Sequence, residues 1–316
     1  MKRYLLPLIA AGALAACAGP ADNAPAGSSG VQAISFLGDT LRTLPLTAEA
    51  RTRYEEQLAG AKAAYDRTPT DVDSIVWYAR RLGYLGRFRE AIDVYSRGIE
   101  LHPDDPWLYR HRGHRYVSVR ELDNAIADLE RAAALVEGTS DVVEEDGQPN
   151  EQNTPIGTLQ SNIAYHLALA YYLQGDFERA IPVYRREMAQ AKNDDRLVST
   201  AHWLYMSLRR LGRDADAQAM LDSVPDDLHV IENETYARLI ALYKGDLPVD
   251  SLLAPDSSAR MSVTDATGAY GVGNWHLYNG RPEEAERIFR RIIDGGQWGA
   301  FGYIAAEAEL ARKAAG

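Results

Sequence analysis

The chain has 316 residues, 46% of them apolar and 25% charged, the balance of a folded protein with enough length for a large core or a repeat array. Its 34 Lys and Arg stand against 45 Asp and Glu, a formal net charge of −11. That excludes nucleic acid as the main partner, because gripping phosphates needs a basic surface.

The first residues read MKRYLLPLIA AGALAACAGP. Lys2 and Arg3 precede an apolar run, Leu5 to Ala16, that is too short to span a bilayer. The run ends in Leu14-Ala15-Ala16-Cys17, and Cys17 is the only cysteine, so no disulfide framework is possible. This end resembles the bacterial lipoprotein signal. The resemblance implies removal of residues 1–16 and lipidation of Cys17. With Ala18 rather than an aspartate next, it also implies an outer-membrane anchor and a protein facing the periplasm. Residues 17–46 then read as a linker. Ala18–Gly30 is small, polar and rich in Pro and Gly, the composition of a disordered tether. Val31–Pro45 carries apolar residues without helical spacing and is expected to lie extended along the domain.

From residue 47 the chain repeats itself. Pro69 and Pro103 are 34 apart, as are Ala91 and Ala125, and Ala64, Gly98 and Ala132 in succession. The stretches "LGRFREAIDVYSRGIELHPDD", "RGHRYVSVRELDNAIADLERAAAL" and "AYHLALAYYLQGDFERAIPVYRREM" share one pattern. They resemble the tetratricopeptide repeat, a helix–turn–helix unit. The implied fold is an all-α superhelical solenoid over residues 47–316. It comprises a half repeat 47–71, repeats 72–105 and 106–139, an insertion 140–160, repeats 161–194 and 198–231, a degenerate unit 232–262, a repeat 266–299, and a C-terminal capping helix 300–315 with a polar outer face.

Two helices approach closely only where side chains are small. Those positions hold Ala79, Gly113, Ala168 and Gly273 in first helices, and Ala91, Ala125, Ala180, Ala217 and Ala285 in second helices. Gly86, Gly175, Gly212 and Gly280 permit the turns between them. The insertion carries Asp141, Glu144, Glu145 and Asp146 without the alternation of a calcium loop. It reads as a mobile acidic surface loop, or as a segment folded back over the groove.

The stretch "RHRGHRY", Arg110 to Tyr116, concentrates positive charge in an acidic chain. Its Arg112 holds a repeat position that is apolar or aromatic elsewhere (Tyr78, Leu167, Leu204, Val272). Asp128 does the same in the second helix (Val94, Val183, Met220, Ile288). The paired exception predicts an Arg112–Asp128 salt bridge. In tetratricopeptide arrays the first helices line a concave groove. The resemblance places Arg80, Tyr84, Trp107, Arg110, His114, Tyr165, Tyr172 and Arg209 there. Arginine and aromatic side chains are the usual anchors of a binding groove, and a basic strip suits a peptide or protein partner of acidic character. An alternative is a glycan or small molecule stacked on Trp107, Tyr165 and Tyr172. The lysine–asparagine set that grips C-terminal carboxylates in some members is not reproduced, since Arg80 stands where asparagine is expected.

His111 and His114 could supply two metal ligands, short of the three or four a site needs. "GAYGVGNW" at Gly268–Trp275 lacks the last glycine of a phosphate loop, and no hydrolase or P-loop motif is present. The expectation is a non-catalytic interaction scaffold without cofactor or metal. If Arg112 and Asp128 form a half-buried pair, Asp128→Ala should destabilise more than the double substitution Arg112→Leu, Asp128→Val. Urea denaturation decides it, and a worse double mutant would refute the pairing.

Overall fold

The computed structural model describes residues 30–253 and 260–315; the signal segment, Cys17 and most of the tether lie outside them. Thirteen helices and one β-hairpin occur among the described residues. Helix α1 (Ala48–Arg67) is the half repeat. Helices α2 (Val72–Tyr84) and α3 (Phe88–Leu101), α4 (Pro106–Ser118) and α5 (Leu122–Leu135), α6 (Leu159–Gln174) and α7 (Phe177–Ala189), α8 (Asp194–Arg210) and α9 (Asp214–Asp222) form four full units. Helix α10 (Glu234–Lys244) packs against α8 and α11 and runs into a short 3-10 turn at Val249–Leu252; among the described residues its unit has no second α-helix. Helices α11 (Val263–Tyr278) and α12 (Pro282–Asp294) restore the pattern before α13 (Phe301–Ala315). The fold is an all-α tetratricopeptide-type solenoid.

Local chemistry starts and stops these helices where the sequence directs. Asp71 accepts from the Ser74 amide, Asp105 from those of Trp107 and Leu108, and Thr158 and Ser161 form a reciprocal capping box. Ala79, Ala91, Ala125, Ala168, Ala180, Ala217 and Ala285 are fully buried between helices. A Cβ on Gly113 would sit 2.7 Å from Leu129 Cγ, and one on Gly273 2.5 Å from the Phe289 ring. Both positions therefore require glycine for closure. The start of the degenerate unit is tied electrostatically to α8. The buried Asp195 carboxylate accepts from the amides of Ile231, Glu232 and Asn233 at 2.8–2.9 Å, capping α10 from across the array.

The structure corrects two boundary expectations. Val31–Pro45 lies against the domain in extended form as expected, but as a hairpin, β1 (Val31–Ile34) pairing antiparallel with β2 (Thr40–Arg42), so it belongs to the folded domain and not to a flexible linker reaching residue 46. Ala33 and Leu41 are buried in the core, and Trp298 Nε1 donates to Arg42 O at 2.8 Å. The C-terminal helix is not a cap with a polar face. Residues 302–310 of α13 are buried without interruption, Glu307 and Glu309 included.

Those buried carboxylates explain why the helix can be enclosed. Glu307 receives two hydrogen bonds from Arg120, at 2.8 and 3.2 Å, and one from the Phe36 amide at 2.6 Å. Arg120 also donates to Ser118 O and Trp298 O. Glu309 meets Arg210, Arg312 and the Tyr270 hydroxyl. Arg120 occupies the turn position that is glycine in its sibling units, at φ 67°, against 70° for Gly86 and 91° for Gly175. A left-handed non-glycine residue costs about 1–2 kcal/mol, which the guanidinium offsets by neutralising Glu307.

Either Arg120→Gly or Glu307→Leu alone strands a buried charge and should cost about 3–5 kcal/mol. The double substitution should lose less than either, because glycine suits the turn and leucine suits the site. Urea midpoints measure this, and a double mutant as unstable as the singles would contradict the pairing.

Candidate functional site

Helices α2 and α4 carry their inward-facing residues one repeat apart, which brings Arg80 and Tyr84 opposite Arg110, His114 and Arg115. With Tyr95, His111 and Glu144 these line a cavity of about 110 Å³. Three guanidiniums border it, and the only carboxylate among the lining residues is Glu144, from the insertion. Arg110 Nε lies 3.0 Å from Glu144 Oε2, and both side chains are nearly sealed from solvent, 7% and 6% exposed. The contact is an ion pair off the hydrogen-bond axis, so Arg110 Nε has no aligned acceptor. Asn162 Nδ2 donates to the same Oε2 at 2.9 Å, and His111 Nε2 stands 3.8 Å from Oε1.

The histidines are held neutral. Burial, followed by the surrounding arginines, pushes His111, His114 and His166 well below the ordinary imidazole range. Neutral rings can accept: Arg115 Nη2 donates to His114 Nε2 at 2.7 Å, and Arg110 Nη1 lies 3.3 Å from His111 Nδ1. Burial also brings the Arg115 guanidinium down to about 10, still charged at neutral pH.

The insertion crosses this cavity as a strap. Its ends pair in β fashion, with the Glu144 amide donating to Gly157 O and the Leu159 amide to Val142 O. Arg80 donates to Glu145 O at 2.9 Å, Arg81 to Gly147 O at 2.7 Å, and Tyr54 of α1 to Gln148. At the far side Asn150 bonds to Glu232. Gly147 is wedged so tightly that a Cβ would lie 1.8 Å from the Tyr84 hydroxyl. Burial and the nearby Glu232 raise Asp146 to about 6. Of the two expectations for the insertion, the folded-back one describes its position.

The other groove candidates divide. Trp107 packs on His111, ring centroids 6.3 Å apart. Tyr165 and Tyr172 are corrected from ligand-facing to core. Tyr165 accepts from Trp203 Nε1 and meets Tyr236; Tyr172 bonds with Tyr270 and Asn274. They are buried because the arc between α6 and α11 closes inward, with α13 against α11 and α12. Neither can serve as a stacking platform. Arg209 belongs elsewhere as well, 2.8 Å from Asp214 and over the Tyr278 ring. Arg112 donates to both Asp128 oxygens at 2.7 and 2.8 Å, and to Ser96. Phe301 of α13 covers His114 and His166, centroids 5.5 and 5.7 Å away. Tyr95, His111 and Glu144 line the cavity but were not among the expected groove positions, and Arg115, at the margin of that face by register, lines it too. The acidic run opposite a basic strip was the available signal for Glu144.

Two family models, both described as tetratricopeptide repeat, match residues 72–115 and 164–197. The curated BBSome complex member BBS4 of Bos taurus is 23% identical over 142 residues, 45% of this chain and 23% of that protein. The chain thus spans under a quarter of that relative's length. Among solved structures, a tetratricopeptide repeat protein from Parabacteroides merdae is similar at TM-score 0.47 and 13% identity, covering 83% of this chain and 93% of that one. YrrB, described as a tetratricopeptide protein with an unusual peptide-binding site, is similar at TM-score 0.42 and 16% identity, covering 75% of this chain and 92% of its own.

Because His111, His114, His166 and the fully buried His202 have folded-state pKa values below the unfolded value near 6.5, the unfolded chain takes up protons first as pH falls. Stability is full above that value and is lost below it, by up to about 1.4 kcal/mol per pH unit for each histidine. Urea titrations at pH 7 and 5.5 should show the loss, and His114→Gln should flatten it. An unchanged slope would contradict a neutral His114.

Proposed function

We propose that the protein is an interaction scaffold of the bacterial envelope, anchored by a lipid on Cys17, that takes an acidic segment of a partner protein at the pocket between α2 and α4. The observation that carries this is the charge imbalance of the pocket: Arg80, Arg110 and Arg115 line it with a single carboxylate, Glu144, which pairs with Arg110, and with the neutral His111 and His114. Unneutralised buried guanidinium is costly to keep unless it binds something. Charge-assisted hydrogen bonds to carboxylates are the strongest contacts such groups make. Helix α13 packs on α11 and α12 and touches α6, so the pocket between α2 and α4, closed only by the strap, is where a ligand that moves the strap aside meets the arginines.

The anchor rests on the signal-like start of the chain and its single cysteine. No helix among the described residues is long and apolar enough to cross a membrane, so attachment would fall to the lipid.

Crosslinked capture from envelope extracts tests the pocket. Arg80→Ala, Arg110→Ala together should lower recovery of the specific partner about tenfold or more, as expected for loss of charge-assisted contacts. Arg112→Leu, Asp128→Val, which alters the α4–α5 contact outside the pocket, should capture normally. Undiminished capture by the Arg80, Arg110 variant would refute the assignment. Retention of a Cys17→Ser protein in the membrane fraction would refute the lipid anchor.

A further inference from the structure

Residues 141–150 engage the pocket as an extended peptide would. The main-chain carbonyls of Glu145 and Gly147 take guanidinium hydrogen bonds from Arg80 and Arg81. The Glu144 side chain enters the cavity and meets Arg110. Contacts through backbone carbonyls and one acidic side chain are those any acidic segment of similar sequence can make.

The occupant fits its seat incompletely. Arg110 Nε and His111 Nε2, both buried, have no aligned acceptor, and Asp146 Oδ2 is buried without a hydrogen bond. Apolar anchoring is absent where the strap could have used it: Val142 and Val143 are 52% and 61% exposed. A segment held by polar contacts at a loop tip opens at low cost relative to the helices around it. Its tether gives it an effective concentration on the order of millimolar, so it excludes weak ligands and yields to strong ones.

We infer that the strap is a resident pseudo-ligand, and that the pocket's true ligand is an extended acidic segment with adjacent carboxylates that displaces Glu144. This rests on the scaffold reading above and adds to it the ligand's chemistry and an autoinhibitory control. A competing segment with two adjacent carboxylates neutralises more of the three guanidiniums than Glu144 does. Apparent affinity falls by the fraction of time the strap is open, so loosening the strap raises affinity without adding a contact.

The probe is a fluorescein-labelled peptide of the strap itself, DVVEEDGQP, with DVVQQNGQP as control. Anisotropy titrations compare the full-length wild type with Glu144→Gln and Gly147→Val. The first weakens the Arg110 ion pair; the second drives a side chain into Tyr84 and Arg80. Both variants should bind the acidic peptide about tenfold tighter than wild type or better, as release of a mostly closed strap requires. Binding should weaken as salt rises, and Arg110→Met on the Gly147→Val background should abolish it.

Equal binding by wild type and both variants would overturn the proposal, as would equal binding of the control peptide. So would a strap exchanged between two copies, seen as a dimer by light scattering. If Gly147→Val fails to fold, Glu144→Gln decides alone. If neither variant binds while partner capture still depends on Arg80 and Arg110, the pseudo-ligand falls and the scaffold reading stands. If the peptide binds as expected and capture ignores the arginines, the scaffold reading falls instead.

Discussion

The ion pair between Arg120 and Glu307 joins the second repeat to the last helix, with the side chains 2% and 0% exposed. An isolated charge so deep would cost several kcal/mol, and a pair is tolerated only when its remaining donors and acceptors are also met. Here they are: Arg120 serves Ser118 O and Trp298 O, and Glu307 takes the Phe36 amide. Through these bonds the β-hairpin, the α4–α5 turn and α13 become one polar joint. Its enclosure lets α13 lie against the inner helices, which determines how much groove remains for a ligand.

That remainder is small and one-signed. Once α13 covers α11 and α12 and Phe301 covers His114, the inner faces of α2 and α4 are the surface left beneath the strap. Burial keeps the histidines neutral, so His111 and His114 present lone pairs to Arg110 and Arg115 rather than competing charge. The pocket therefore asks for anions, and the chain answers with Glu144. A scaffold that carries its own weak ligand has selectivity without needing high intrinsic affinity, because only segments that outcompete the tether bind.

The 34-residue period was legible because close packing dictates it. Wherever two helices touch, an alanine or glycine must recur, and Gly113 and Gly273 show how little room there is. The Arg112–Asp128 partnership was visible for a similar reason: within-chain repeats serve as one another's controls, and a doubly polar column stands out. What escaped was long-range. Nothing local marks α13 as buried, since its glutamates read as a polar face and partners 187 residues from Glu307 and 99 from Glu309 make them core. Arg120 carried a faint signal, a non-glycine at a glycine turn. Tyr165 and Tyr172 sat at groove positions by register, yet curvature closed the groove over them, and curvature is a sum of small rotations that no single repeat encodes.

The central claim is that the inner surface has one permanent occupant, α13, and one exchangeable occupant, the strap. Hydrogen–deuterium exchange on the intact protein tests it most directly, because it reads the opening free energy of each segment in the same sample. The account predicts that amides of residues 304–310 exchange only with global unfolding. The Glu144 and Leu159 amides, bonded to Gly157 O and Val142 O, should exchange orders of magnitude faster, through local opening. Strap amides protected to the level of the core, or α13 amides that exchange as readily as the strap, would contradict it.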